Sequence, residues 1–459
     1  MIYLKKKYIL LLLLCIFIIG LLSFSKIYID NLKTDIKNVE KQHIIEKLKL
    51  LSLWEGNTLN NDKFFETRVT FEENLKINDQ DFIFKKILLP VPNYYSWGQK
   101  AVGYIEEYLD NYLYVSGDGN IYIFKKNDLL LNNLSLNKLA ADYSIKLFKI
   151  KSNLPQFTSR LIKTKNKNSV KDILVSQNAI YISHVNEKSK RCYNVEIIKG
   201  NLNLEKIEFS NFFSYDECLT DINTHALGGN LSDYKNNEIL FTIGDGLFKG
   251  KAQDTKSKFG KIISINKDTK KYEVFSLGHR NPQGLFYDQE NNLILSTEHG
   301  PMGGDEINII KNNGKINNYG WPIASYGEHY PYAIKTQKNK GTYEQFIKDF
   351  PLKKNHEEFG FIEPLKYFTP SIGISEIVKI PEINETALKE FYLVGSMGRW
   401  GYDGQKSIYY FKIENNRISK LNHTILGERI RDLLFSKDQN LIITILENTP
   451  SIGIILLER

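Results

Sequence analysis

Cysteine is scarce, with three in 459 residues, and no two are spaced as C-x-x-C. That excludes a disulfide-rich scaffold, a thiol zinc site and a thioredoxin-like redox motif. Charge of one sign is not massed either. The 61 basic and 53 acidic residues are interspersed to a net +8, and no block of five or six like charges marks an arm for nucleic acid. His279 and His299 lack a third ligand at zinc spacing, and the carboxylate and Asn metal cage of a calcium-dependent lactone hydrolase is not visible. What is present in quantity is apolar material. At 42% hydrophobic and 12% aromatic residues, a disordered or collagen-like chain is excluded and a large core is expected.

The longest uncharged run, Tyr8 to Phe24, follows Lys5, Lys6 and Lys7. At 1.5 Å per residue it spans ~25 Å, a little under the ~30 Å hydrocarbon core, and Ile27 and Tyr28 extend it. Residues 1–28 are therefore expected to be a signal peptide, cleaved near Ser23-Phe24-Ser25, or an uncleaved membrane helix, with the lysines cytoplasmic and the body exported. This places the body in the periplasm or another extracytoplasmic space, anchored to the inner membrane if the helix is retained. Cys15 reads as a core residue of that run. The spacing of Leu32, Ile36, Val39, Ile44 and Leu48 predicts an amphipathic helical stalk within 29–57. Cys192 and Cys218 are then the only thiols in an oxidising space and are expected to be bridged, the alternative being two separately buried cysteines.

Beyond residue 57 the pattern changes to short apolar alternations between Asn, Asp and Gly, the mark of strands and turns. One phrase recurs six times, beginning at Asn111, Asn178, Asn237, Asn291, Glu390 and Gln439; Asn178-Ala179-Ile180-Tyr181-Ile182-Ser183 is typical. The copies lie roughly 50–65 residues apart, with one gap of about 100, and a four-stranded blade needs about that length. The expected fold is all-β, a six-bladed β-propeller over 58–459, with an insertion between Tyr319 and Tyr367 and the repeated phrases as inner strands.

A propeller gathers its loops at the mouth of a central channel, and the unusual residues flank the repeated phrases. They are His225, Gly244-Asp245-Gly246, Arg280-Asn281-Pro282-Gln283-Gly284, Glu298-His299-Gly300-Pro301 and Arg429-Ile430-Arg431-Asp432. Guanidinium, amide and imidazole groups beside exposed carbonyls suit an anionic, carbonyl-rich ligand together with a hard cation. Three phrases in order, Ser276 to Leu285, Glu298 to Asn308 and Asn318-Tyr319-Gly320-Trp321-Pro322, resemble the glucose/sorbosone dehydrogenase family of soluble quinoprotein aldose sugar dehydrogenases. The likeness is clear from about Asn178 to Leu457.

That resemblance implies a dehydrogenase oxidising a sugar or related alcohol with pyrroloquinoline quinone (PQQ) and Ca²⁺, and passing electrons to a respiratory acceptor. It gives PQQ binding to Arg280, Asn281, Arg429 and Arg431, calcium to the carbonyls of Gly300 and Pro301, and proton abstraction to His225, with Arg280 stabilising oxyanion charge. The chain also departs from the family pattern. The His-x-Gly-Gly-Arg-Leu phrase has gained one residue after His225 and lost its Arg, with Asn230 five positions on. The fifth-blade Gly-Ser-Leu-Lys phrase reads Gly395-Ser396-Met397-Gly398-Arg399, so Arg399 stands in for the cofactor-binding Lys. The last-blade Leu-Thr-Asp reads Ile445-Leu446-Glu447, and the first-blade Gln-rich loop is not recognisable. A non-catalytic propeller serving as a binding module is the alternative.

Overall fold

The computed structural model describes residues 64–89, 103–117, 119–129, 144–153, 170–220, 224–247, 249–382, 386–398 and 406–457. The expected membrane helix (1–28), helical stalk (29–57) and Arg399 lie outside the described residues, as does the start of the expected propeller at 58–63. Among the described residues no helix is long and apolar enough to cross a membrane.

Six antiparallel blades surround one axis. Their innermost strands are Gly103–Tyr108, Val170–Ser176, Gly228–Tyr234, Pro282–Asp288, Ile374–Lys379 and Ile430–Ser436. Each packs on the next, and the sixth closes on the first. Closure uses both ends of the described chain: Gln80–Leu88 pairs antiparallel with Ser451–Leu456 and so completes blade 6. A ring closed in this way leaves only short outer edges.

The six repeated phrases occupy the same strand in every blade. It is the second strand, not the innermost one that the sequence pattern implied. The turn between first and second strand holds a left-handed residue in every blade, at or beside the start of the phrase: Leu109, Gln177, Asn237, Asn292, Glu390 and Asn440, with φ of 52°, 56°, 61°, 50°, 62° and 49°. Asn pays less than other side chains for that conformation.

Alternating apolar residues on the blade faces form one cluster for each pair of neighbouring blades. Between blades 2 and 3, for example, Tyr181, Val195 and Ile197 meet Phe241, Phe259 and Ile263. Each such side chain fully removed from water stabilises by ~1.5–3 kcal/mol. Cys192 and Cys218 are bridged, their Cα atoms 5.4 Å apart. The bridge fastens the short strand Leu219–Thr220 to the third strand of blade 2, beside which it pairs.

The insertion falls inside blade 4, between its third strand Asp305–Ile310 and its fourth, Lys366–Phe368. It carries two short helices, α1 (Pro331–Asn339) and α2 (Tyr343–Asp349).

Candidate functional site

Five of the six innermost strands, all but Gly103–Tyr108, carry β-bulges at corresponding places. Register slips between Val170 and Asp172, Gly228 and Leu231, Pro282 and Gly284, Ile374 and Ile377, and Ile430 and Asp432. A bulge leaves a residue without a ladder partner and re-aims its side chain. Here the re-aimed residues include Lys171, Asn230, Gln283 and Arg431, and all four line a cavity of about 600 Å³ at one mouth of the channel. His225, Arg280, Asn281, Gly300, Pro301 and Arg429 line the same cavity. Every sequence-predicted site residue within the described part of the chain therefore faces one space.

Arg280 and Asn281 are held by buried carboxylates. Glu298 accepts the backbone N–H groups of Arg280 and, at 3.3 Å, of Asn281, while its other oxygen meets His279 Nδ1 at 3.0 Å. His279 is wholly buried, with Nε2 2.7 Å from Ser276 Oγ, so it braces the loop and does not face the cavity. The Arg280 carbonyl accepts the Asp245 N–H at 2.8 Å, and Asp245 Oδ2 accepts Trp321 Nε1 at 2.6 Å. Burial pushes the Asp245 carboxyl up to about 6, against the pull of Arg280. The guanidinium itself donates from Nη1 to the His299 carbonyl at 2.8 Å and lies 5.3 Å from the Trp321 ring, while its buried Nε has no partner. Asn281 Oδ1 accepts the Gly228 N–H at 3.2 Å and so also ties blade 4 to blade 3.

Arg429 and Arg431 are already paired. Glu447, fully buried, accepts Nε of Arg429 at 2.8 Å and Nε of Arg431 at 2.7 Å. The altered last-blade phrase thus places one anion between two cations. Lys171 was not singled out from the sequence. It is 7% exposed, and burial together with Arg431 pulls its pKa down to about 7. His225 sits in a 3-10 turn, Thr224–Ala226, and burial, Lys171 and Arg431 lower its imidazole to about 4, which keeps it neutral at pH 7.

The Gly300–Gly304 loop is drawn tight by Asp305. One of its oxygens accepts the Gly300 N–H at 3.1 Å, and the other accepts those of Ile372, Gly373 and Ile374 at 3.0, 2.7 and 3.1 Å. A Cβ on Gly300 would come within 1.9 Å of the Gly304 carbonyl oxygen, so only glycine fits that turn. Among the described residues no group of three or more His, Cys, Asp or Glu side chains is arranged to hold a metal. Any cation here would depend on backbone carbonyls, such as those of Gly300 and Pro301, and on oxygens of a ligand.

The residues present fit an anionic, carbonyl-bearing ligand. A buried guanidinium Nε without a partner, a buried lysine, and a neutral imidazole share one cavity whose cations outnumber its facing anions.

The family model described as Glucose / Sorbosone dehydrogenase matches residues 160–453. An aldose sugar dehydrogenase of Escherichia coli is 34% identical over 127 residues, 25% of this chain and 33% of that protein. Quinoprotein glucose dehydrogenase B of Acinetobacter calcoaceticus is 33% identical over 139 residues, 25% of this chain and 28% of that protein. The chain spans half or less of the length of the curated relatives it matches. In fold it is similar to the PQQ-bound aldose sugar dehydrogenase of Streptomyces coelicolor, with a TM-score of 0.54 at 15% identity over 87% of this chain and 99% of that one.

Proposed function

We propose that this chain, which belongs to the glucose/sorbosone dehydrogenase family, is an exported quinoprotein dehydrogenase that oxidises an aldose sugar or related alcohol. The observation that carries this reading is the meeting of His225, Arg280, Asn281 and the Gly300-Pro301 loop on one cavity. PQQ, when bound, supplies a two-electron acceptor for hydride from the substrate carbon that bears the hydroxyl. Arg280, with an unpartnered Nε, and Asn281 would hold it, with Arg429 and Arg431 contributing one net positive charge after pairing with Glu447. Calcium would rest on the carbonyls of Gly300 and Pro301.

His225 would take the hydroxyl proton at Nε2 or Nδ1. Its neutrality comes from burial and from the positive charges of Lys171 and Arg431. An anionic ligand offsets those charges and raises the basicity of the imidazole at the moment it is needed. Glu298 and Asp245 fix the Arg280 backbone, so this guanidinium is oriented before a ligand arrives. Electrons would then leave to a respiratory acceptor. Export is supported by the Cys192–Cys218 bridge, since such bridges persist in oxidising compartments. The propeller is taken to run over 58–459, preceded by the anchor or signal at 1–28 and the stalk at 29–57.

The second reading, a non-catalytic binding module, is favoured by one observation: Glu447 uses up much of the charge of two arginines assigned to the cofactor. Reconstitution of the purified soluble body with PQQ and Ca²⁺, followed by a visible spectrum and dye reduction with several aldoses, separates the two. Quinone uptake with sugar-dependent dye reduction supports the enzyme. Uptake of neither quinone nor electrons leaves the binding module.

A further inference from the structure

Among the described residues that line the cavity, Lys171 is the cation without a hydrogen-bonding or ion-pair partner. It lies in the bulge of the blade 2 inner strand and is 7% exposed. No carboxylate, hydroxyl or carbonyl among the described residues pairs with its ammonium. The other cations have commitments. Arg429 and Arg431 share Glu447, and Arg280 gives Nη1 to the His299 carbonyl. The neighbouring Asp172 does not serve Lys171, because its oxygens accept the N–H groups of Ile173 and Leu231 at 2.8 and 2.7 Å. A buried ammonium without a counter-ion destabilises the folded chain, and a structural role does not call for one.

We infer that Lys171 is the anchoring cation for an anionic oxygen of the bound quinone, which supplies the counter-charge that no described residue gives it. The inference rests on the quinone reading above and adds a ligand-binding residue to it. The lowered pKa of Lys171 is in keeping with an ammonium that waits for a negative partner.

Two properties should move in opposite directions on substitution. Lys171→Met removes an uncompensated buried charge, so the ligand-free protein should melt about 2–4 °C higher, while PQQ affinity in the presence of Ca²⁺, read by spectral titration, should fall about 10- to 100-fold. Lys171→Arg should retain affinity within about fivefold. A third reading avoids variants. Acetic anhydride should acetylate Lys171 in the ligand-free wild-type protein, and saturating PQQ should slow that reaction at least tenfold by mass spectrometry. Equal PQQ affinity of wild type and Lys171→Met, a lower melting temperature of Lys171→Met, or acetylation of Lys171 that PQQ leaves unchanged would overturn the assignment while leaving the quinone reading intact. Wild-type protein that takes up no PQQ overturns both.

Discussion

Arg431 donates from Nε to Oε1 of Glu447 across 2.7 Å, so the guanidinium facing the cavity is neutralised from behind. Burial alone would push the Glu447 carboxyl up, but Arg431 and then Arg429 hold it down at about 2. A folded pKa below the unfolded value means that this stabilisation is present above the ordinary carboxylate range and is lost as pH falls through about 2. Glu447→Gln should therefore cost ~3–5 kcal/mol at pH 7, because two buried guanidinium groups lose their shared anion. Urea unfolding of the variant beside wild type measures it, and a change below about 1 kcal/mol would show that the pairing is slack.

Asp432 behaves in the opposite sense. Burial holds its carboxyl up at about 7, although it accepts the N–H groups of Ile105 and Leu433 at 2.7 and 3.0 Å. A raised folded pKa means stability is greatest in acid and is lost as pH rises through about 7. Wild type should lose roughly 3 kcal/mol from this group between pH 5 and pH 8. Asp432→Asn should be less stable than wild type at pH 5, through a lost acceptor, but show a flatter slope. Parallel slopes in chemical denaturation at the two pH values would contradict this.

How far these features were legible in the sequence depends on the kind of order each one needs. The six blades were legible because the second strand of each is a short apolar alternation that follows a turn, and in several the turn carries an Asn in the left-handed conformation, as at Asn237 and Asn440. Arg280, Asn281 and the Gly300-Pro301 loop stood out because they lie in long loop phrases. Lys171 and Glu447 did not stand out as site residues. Lys171 faces the cavity through a bulge, which changes no residue type and breaks no periodicity that a single sequence displays. Glu447 became visible only once strand pairing of Ile430–Ser436 with Leu441–Leu446 brought it beside two arginines.

His225→Ala should leave PQQ affinity within about threefold of wild type and lower turnover by ~10²–10⁴, since it removes a proton acceptor and no ligand charge. For the quinone-loaded wild-type enzyme, kcat/KM should fall in acid as His225 protonates, at a pH above the value of about 4 that burial, Lys171 and Arg431 set in the ligand-free chain, because the anionic quinone offsets those two charges. A variant as active as wild type would remove the imidazole from the reaction.

The Cys192–Cys218 bridge closes a loop with a sequence separation of 26. Cys192→Ala with Cys218→Ala should cost ~2–4 kcal/mol, most of it through the freer unfolded chain. Non-reducing peptide mapping of exported protein should recover the two cysteines as one linked peptide pair. Two freely alkylated thiols would contradict the bridge.

Equilibrium uptake of PQQ by the purified wild-type chain with Ca²⁺, compared with Arg280→Ala, addresses the central reading most directly. Wild type should bind in a one-to-one complex with a shifted quinone spectrum, and Arg280→Ala should bind at least tenfold more weakly, since a charged hydrogen bond to the ligand is lost. Wild-type protein that shows no uptake at saturating PQQ and calcium would contradict the quinoprotein assignment and leave a family propeller that binds something else.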